Sequence, residues 1–107
     1  MATIDDLQKI EVKIGTVLRA ERVPDTDKLL RLMVDLGEDN PRQIVSGISA
    51  YTTPEALVGR QLAFVANLEP RTIRGLESNG MLFAVGSEET FSFLVPDRPV
   101  PPGTGAH

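Results

Sequence analysis

Leu30, Leu32, Val34 and Leu36 fall on one side of an extended backbone, and Arg31, Met33 and Asp35 fall on the other. That period of two is the pattern of a strand with one buried face. Upstream, Ile4, Leu7 and Ile10 recur at helical spacing, and Thr3 stands as an N-cap with Asp5 and Asp6 in the first turn, so the pattern predicts a short helix. From Ile10 the period changes to alternation and runs to Val23, which predicts one long strand with Ile10, Val12 and Ile14 inward and a bend or bulge at Gly15. Pro24 to Asp27 reads as a turn in which the Asp side chains bond the backbone, with Lys28 directly after it. Further on, Gln43 to Ser46 predicts a short strand, and Thr53 before Pro54 predicts one capped turn of helix over Pro54 to Leu57. Gln61 to Leu68 is nearly all apolar, as befits a central strand. Glu69 to Gly80 carries no apolar period and reads as a loop. Met81 to Val85 and Phe91 to Val95 predict two more strands, and the segment 96–107 reads as an extended or loose Pro/Gly-rich tail.

This order predicts an all-β chain: five core strands, a short N-terminal helix, a short helix between strands three and four, and an added C-terminal strand. It fits an OB-type five-stranded Greek-key barrel, with a small sandwich as the alternative. Such barrels bind through strands two and three and through the loops joining strands one to two and four to five. Here those loops are Pro24 to Lys28 and Glu69 to Gly80, which hold Lys28, Arg71, Arg74, Ser78 and Asn79. A length of 107 residues supports a single domain over 1–107.

Composition then removes whole classes of chemistry. There is no cysteine, and the one histidine is His107, so disulfides, thiol nucleophiles, Cys/His zinc sites and histidine-centred catalysis are excluded. Ser46-Gly47 lacks a nucleophile elbow, and Asp25 with Asp27 reads as a turn rather than a metal pair. No catalytic residue, metal or cofactor is expected, and the chain is not expected to be an enzyme. No apolar run reaches bilayer length and the first residues lack a signal-peptide pattern, so no membrane association is expected and a cytoplasmic location is. Met1 and the early capped helix read as a natural start. The net charge of -4 speaks against a nucleic-acid partner unless the cations cluster.

Each candidate ligand has a bland alternative. Lys28 fits a phosphate ligand or a solvated lysine. Arg71 and Arg74 fit neighbouring phosphates, or merely balance Glu69 and Glu77. Ser78-Asn79-Gly80-Met81 fits a left-handed turn that exposes the Ser78 hydroxyl and sets Met81 at a strand mouth against a base, or a plain turn with a core methionine.

Read consecutively, Asp27-Lys28-Leu29, Val34-Asp35-Leu36-Gly37, Ile44-Val45-Ser46-Gly47-Ile48, Leu57-Val58-Gly59-Arg60, Ala66-Asn67-Leu68-Glu69-Pro70-Arg71, Arg74-Gly75 and Ser78-Asn79-Gly80-Met81 resemble the tRNA-binding domain family. That family includes the C-terminal domains of methionyl-tRNA synthetases, small stand-alone tRNA-binding proteins, and a domain of endothelial-monocyte-activating polypeptide II. The resemblance runs from Ile4 to about Pro102. It implies an OB-fold homodimer that binds tRNA by structure, without catalysis, alone or as the C-terminal or beta-subunit appendage of methionyl-tRNA synthetase. Partners so implied are tRNA, a second copy and that synthetase. The family's tRNA-contacting positions fall on Lys28, Ser78 and Met81, with Arg74 as a helper, and Arg71, Arg31 and Asn67 complete the expected RNA-facing set. Thr72 stands where many members carry lysine, which implies modest affinity. A sister branch of export-chaperone-like proteins lacks the elements at Ser46-Gly47 and Ser78 to Met81. A polypeptide-binding or protein-docking module of the same fold is the alternative function. Phe91, Phe93 and Val95, on one face of the added strand, are the expected dimer interface, unless that strand caps its own barrel.

Overall fold

The computed structural model describes all residues, 1–107. Both capped turns form as the sequence predicts. Helix α1 (Ile4–Gln8) starts at Thr3, whose hydroxyl accepts from the Asp6 amide at 3.2 Å while the Asp6 carboxylate accepts from the Thr3 amide at 3.0 Å. Helix α2 (Pro54–Leu57) begins at Thr53, whose hydroxyl accepts from the Ala56 amide, with Pro54 at the first position.

The body is an all-β, nearly closed barrel. Strand β1 (Val12–Arg22) serves both of its halves, pairing antiparallel with β4 (Gln61–Val65) through Val12 to Thr16 and with β2 (Leu30–Asp35) through Thr16 to Arg22. Strand β3 (Arg42–Ser46) lies on the far side of β2, and β7 (Met81–Leu82) lies beyond β4. Leu30, Leu32 and Val34 are fully buried and Leu36 nearly so, packed with Val17, Ile44, Leu57, Leu62 and Phe64. The period-two reading of this strand therefore found the centre of the core, and α2 contributes Leu57 to it.

Several features differ from the sequence reading. Gly15 is neither a bend nor a bulge: the register shift between β1 and β2 falls between Val17 and Arg19, at the exposed Leu18. Gly15 is glycine because a Cβ there would lie 2.5 Å from Val34 Cγ1 and 2.9 Å from Leu36 Cδ2. The segment 69–80 is not a loop but contains a hairpin, β5 (Arg71–Ile73) with β6 (Leu76–Ser78), turned by Arg74 and Gly75 at φ 51° and 79°. That turn is of the left-handed kind that matches strand twist. The strand expected over Met81 to Val85 divides into β7 and β8 (Ala84–Val85), and the one expected over Phe91 to Val95 shortens to β9 (Ser92–Phe93), which pairs with β8.

The tail is docked rather than loose. Strand β10 (Gly105–Ala106) pairs with β1, the Ile14 amide donates to the Thr104 carbonyl at 2.8 Å, and the Gly103 amide donates to the Ile14 carbonyl at 2.7 Å. Gln61 clamps the same segment through both ends of its amide at Val100. Just before this same end of β1, Ile10 is exposed rather than inward, and α1 buries none of its own residues.

Candidate nucleic-acid interface

The turn that leads from β1 to β2 is set by backbone bonds. The Val23 amide donates to the Leu29 carbonyl, and both the amide and hydroxyl of Thr26 donate to the Val23 carbonyl. Thr26, not Asp25 or Asp27, thus supplies the side-chain bond, and Asp25 contributes a left-handed φ of 61°. Ser49 fastens the turn to the β3–α2 connection, its amide donating to the Lys28 carbonyl and its hydroxyl to the Asp27 carbonyl at 2.6 Å. Lys28 is therefore an exposed side chain on a tied backbone.

Facing this turn is the β5–β6 hairpin. Arg74 sits at its tip, and Arg22, Val23, Pro24, Glu21, Arg31 and Leu76 complete one groove with it. A second groove continues along the outer face of β1 and β2, where Arg19, Leu18, Met33 and Val58 join Glu21 and Arg31. Four arginines and one carboxylate thus border two adjoining grooves. Register explains the placement, because Glu21 pairs with Arg31 and Arg19 with Met33 across β1 and β2. Arg31 is bonded to Glu21, whereas Arg19, Arg22 and Arg74 form no ion pair. The acidic chain therefore carries a locally basic surface on the outer face of β1 and β2.

The structure separates the expected RNA-facing residues into two groups. Arg31 and Arg74 are brought together, Lys28 stands exposed on the adjacent turn, and Arg71 is exposed at the base of the hairpin, paired in register with Ser78. Met81 is 43% exposed on β7, where it pairs with Val65, so it is a surface methionine and not a core one. Ser78 is different. It is buried, it accepts from the Val45 amide at 3.0 Å, and it donates to the Gly80 carbonyl at 3.1 Å. The expected exposed hydroxyl is instead the joint between β3 and the closing segment, reinforced by the Asn79 amide on the Gln43 carbonyl and by the Gln43 side chain on the Glu77 carbonyl. The left-handed turn holds, at Gly80 with φ 130°, but it directs the serine inward.

Asn67 likewise spends both ends of its amide on the chain, accepting from the Glu11 amide at 2.9 Å and donating to the Lys9 carbonyl at 2.7 Å. It ties β4 to the α1–β1 junction. Of the expected dimer residues, Phe91 and Phe93 are half-buried against the barrel's own core, which leaves Val95, 51% exposed, free for a partner. The capping alternative thus describes the two phenylalanines. Sequence reasoning missed Arg19 and Arg22, which lie on β1, outside the two loops it searched for ligands. The signal was available in the turn at Pro24, which places the end of β1 beside the start of β2.

No group of three or more His, Asp or Glu lies together in a way that would hold a metal ion, and no helix is long and apolar enough to cross a membrane. Arg42 holds the Glu38 carboxyl below its ordinary value through a paired hydrogen bond and is itself raised, with a further donation to the Ala66 carbonyl. This pair pins the β2–β3 connection to the end of β4.

Fold and site together define a small all-β binding module with a basic groove on the outer face of β1 and β2. Comparison with known proteins narrows the class. The chain belongs to the family of the putative tRNA binding domain, whose sequence pattern matches residues 12–105. It is 54% identical over 105 residues to a methionine–tRNA ligase of Methanocorpusculum labreanum, a match that covers 98% of this chain and 15% of that protein. The chain therefore spans about 15% of the length of such relatives. Among solved structures, the MetRS related protein from Pyrococcus horikoshii superposes with a TM-score of 0.92 at 35% identity, covering 100% of this chain and 98% of that one. The chaperone CsaA of Bacillus anthracis superposes with a TM-score of 0.89 at 30% identity, covering 100% and 99%.

Proposed function

We propose that residues 1–107 act as one OB-type domain that binds tRNA without catalysis, as a cytoplasmic homodimer, alone or as the C-terminal or beta-subunit appendage of a methionyl-tRNA synthetase. The observation that carries this reading is the convergence of Arg19, Arg22, Arg31 and Arg74 on adjoining grooves of a chain whose net charge is -4. Cations there neutralise phosphates and release counterions, which supplies affinity without reading sequence. The acidic remainder of the surface repels polyanions that do not fit the groove. Selectivity then comes from shape, because an A-form helix hides its base edges in a deep, narrow groove and offers 2′-hydroxyls, curvature and exposed loop bases instead. Lys28, Arg71 and Met81 extend the contact around the rim. Ser78 and Asn67 serve it indirectly, by holding the barrel shut and α1 in place.

The dimer belongs on α1 rather than on the added strand. Five residues of isolated helix are unstable in water, yet this one is fully capped and leaves Ile4, Leu7 and Ile10 exposed. Leu68, 40% exposed, follows Asn67, which is bonded to the α1–β1 junction, so the apolar surface continues there. A second copy related by a two-fold axis would cover both helices at once. Sedimentation of a Leu7→Glu variant is expected to show a monomer where the parent is a dimer.

The polypeptide-binding alternative has two observations in its favour: Leu18, Met33 and Val58 line part of the same grooves, and the chain is similar to a chaperone structure. Fluorescence anisotropy of labelled tRNA, with a plain RNA duplex and an unfolded polypeptide as competitors, decides between the readings. Retention of tRNA against both competitors is the expected result. Displacement by polypeptide at matched concentration would favour the chaperone reading.

A further inference from the structure

Beside the β8–β9 hairpin, and sharing no lining residue with the arginine grooves, Tyr51, Arg60, Phe91, Ser92, Phe93 and Val95 line an open cavity of about 430 Å3. Three of the chain's five aromatic side chains meet there. Tyr51 lies flat on Phe91, with ring centroids 4.1 Å apart and planes 7° from parallel. Phe93 meets Phe91 edge-on at 5.1 Å. Phe91 and Phe93 pack on the barrel core, and the Tyr51 hydroxyl accepts from the Glu88 amide at 3.0 Å, so the stack is held from beneath and at its tip. Tyr51 nevertheless remains 39% exposed. The Arg60 guanidinium lies 5.1 Å from the centre of the Phe93 ring and forms no ion pair.

A rigid, parallel aromatic pair with an open side and an unpaired guanidinium next to it is the arrangement that proteins use to stack an unpaired base while a cation meets the neighbouring phosphate. No carboxylate lines the cavity, since Glu88 and Glu89 of the adjoining turn lie outside its lining. Aliphatic side chains are nearly absent from it, Val95 excepted, which disfavours an extended apolar peptide.

We propose that this cavity is a stacking subsite for a single unpaired nucleobase of the bound RNA, which continues the Tyr51–Phe91 stack on the open side of Tyr51 while Arg60 meets the adjoining phosphate. The inference rests on the tRNA reading above and adds a second point of contact to it. With one cation present, the subsite contributes a single phosphate contact and little salt dependence of its own. An RNA with an unpaired strand is held at both places, and a plain duplex engages the grooves alone.

Tyr51 is the sole tyrosine, so incorporation of 3-fluorotyrosine gives the full chain a single 19F resonance that reports on this cavity. Titration with the single-stranded oligonucleotide tetra-adenylate is expected to shift that resonance saturably, and Arg60→Gln to weaken the effect by about tenfold. Tyr51→Leu is expected to weaken tRNA in anisotropy by a similar factor while leaving a plain duplex unaffected. If tRNA binds in anisotropy but tetra-adenylate leaves the resonance fixed, the subsite is overturned and the tRNA reading stands. If the resonance responds to tetra-adenylate while tRNA fails to bind in anisotropy, the base subsite stands and the tRNA reading falls. A response to the peptide Gly-Phe-Gly without one to tetra-adenylate would assign the cavity to polypeptide and overturn the proposal.

Discussion

Ser78 Oγ accepts a hydrogen bond from the Val45 amide at 3.0 Å, so a side chain stands where backbone pairing would otherwise join β3 to the strand that closes the barrel. Ser78→Ala leaves that buried amide without a partner, which costs about 1–3 kcal/mol. We expect a fall in Tm of several degrees, read by calorimetry, with tRNA affinity within about twofold below the transition. Unchanged Tm with a large loss of affinity would instead place the hydroxyl on the RNA.

Glu21 restrains the arginine that lines both grooves. Glu21→Gln removes the carboxylate nearest the proposed phosphate path and frees the Arg31 guanidinium. Binding of tRNA is expected to tighten several-fold at low salt, and the gain to shrink as salt screens it. Weaker binding in the variant would mean that the ion pair orients Arg31 for contact.

Gly15→Ala drives a methyl group into Val34 and Leu36. Overpacking of this kind costs about 1–3 kcal/mol. The urea midpoint should fall with an unchanged slope, and Gly105→Ala, which meets nothing within 4 Å, should be near neutral by the same measurement.

Arg42 holds the Glu38 carboxyl below its ordinary value through their hydrogen bonds, so the folded state binds the proton more weakly than the unfolded chain. Its contribution is therefore present at neutral pH and lost as pH falls through the carboxylate range, below about 4.3. The Glu38 side chain is 40% exposed, which limits the effect to under about 1 kcal/mol. Denaturation of Glu38→Gln beside the parent should show a small deficit at pH 7 that disappears near pH 3.

The sequence made the core legible wherever burial writes a period. Leu30 to Leu36 alternate because one face of β2 is dry, and Thr3 and Thr53 announce their helices because a hydroxyl at the cap satisfies an orphan amide. The β5–β6 hairpin wrote no such pattern. Its strands are three residues long and flank an Arg-Gly turn whose signal is conformational rather than apolar. The docked tail was silent for a related reason, since Gly103, Thr104 and Gly105 hold β1 through backbone groups that every residue type shares. At the interface, Arg74 was legible from its loop, but its neighbours Arg19 and Arg22 become site residues through cross-strand register alone. Ser78 and Asn67 carried the right motif, and the structure turns Ser78 inward and spends the exposed Asn67 amide on the backbone of Lys9 and Glu11.

The central claim is that RNA phosphates lie between the β1–β2 turn and the tip of the β5–β6 hairpin. The most direct test is the slope of log affinity against log salt for tRNA, measured for the parent and for the Arg22→Gln, Arg74→Gln double variant. Each lost phosphate contact should lower the slope by about 0.7–0.9, so the variant should lose about 1.4–1.8 and bind more weakly. An unchanged slope, with the barrel intact by circular dichroism, would contradict the account and move the RNA to another face.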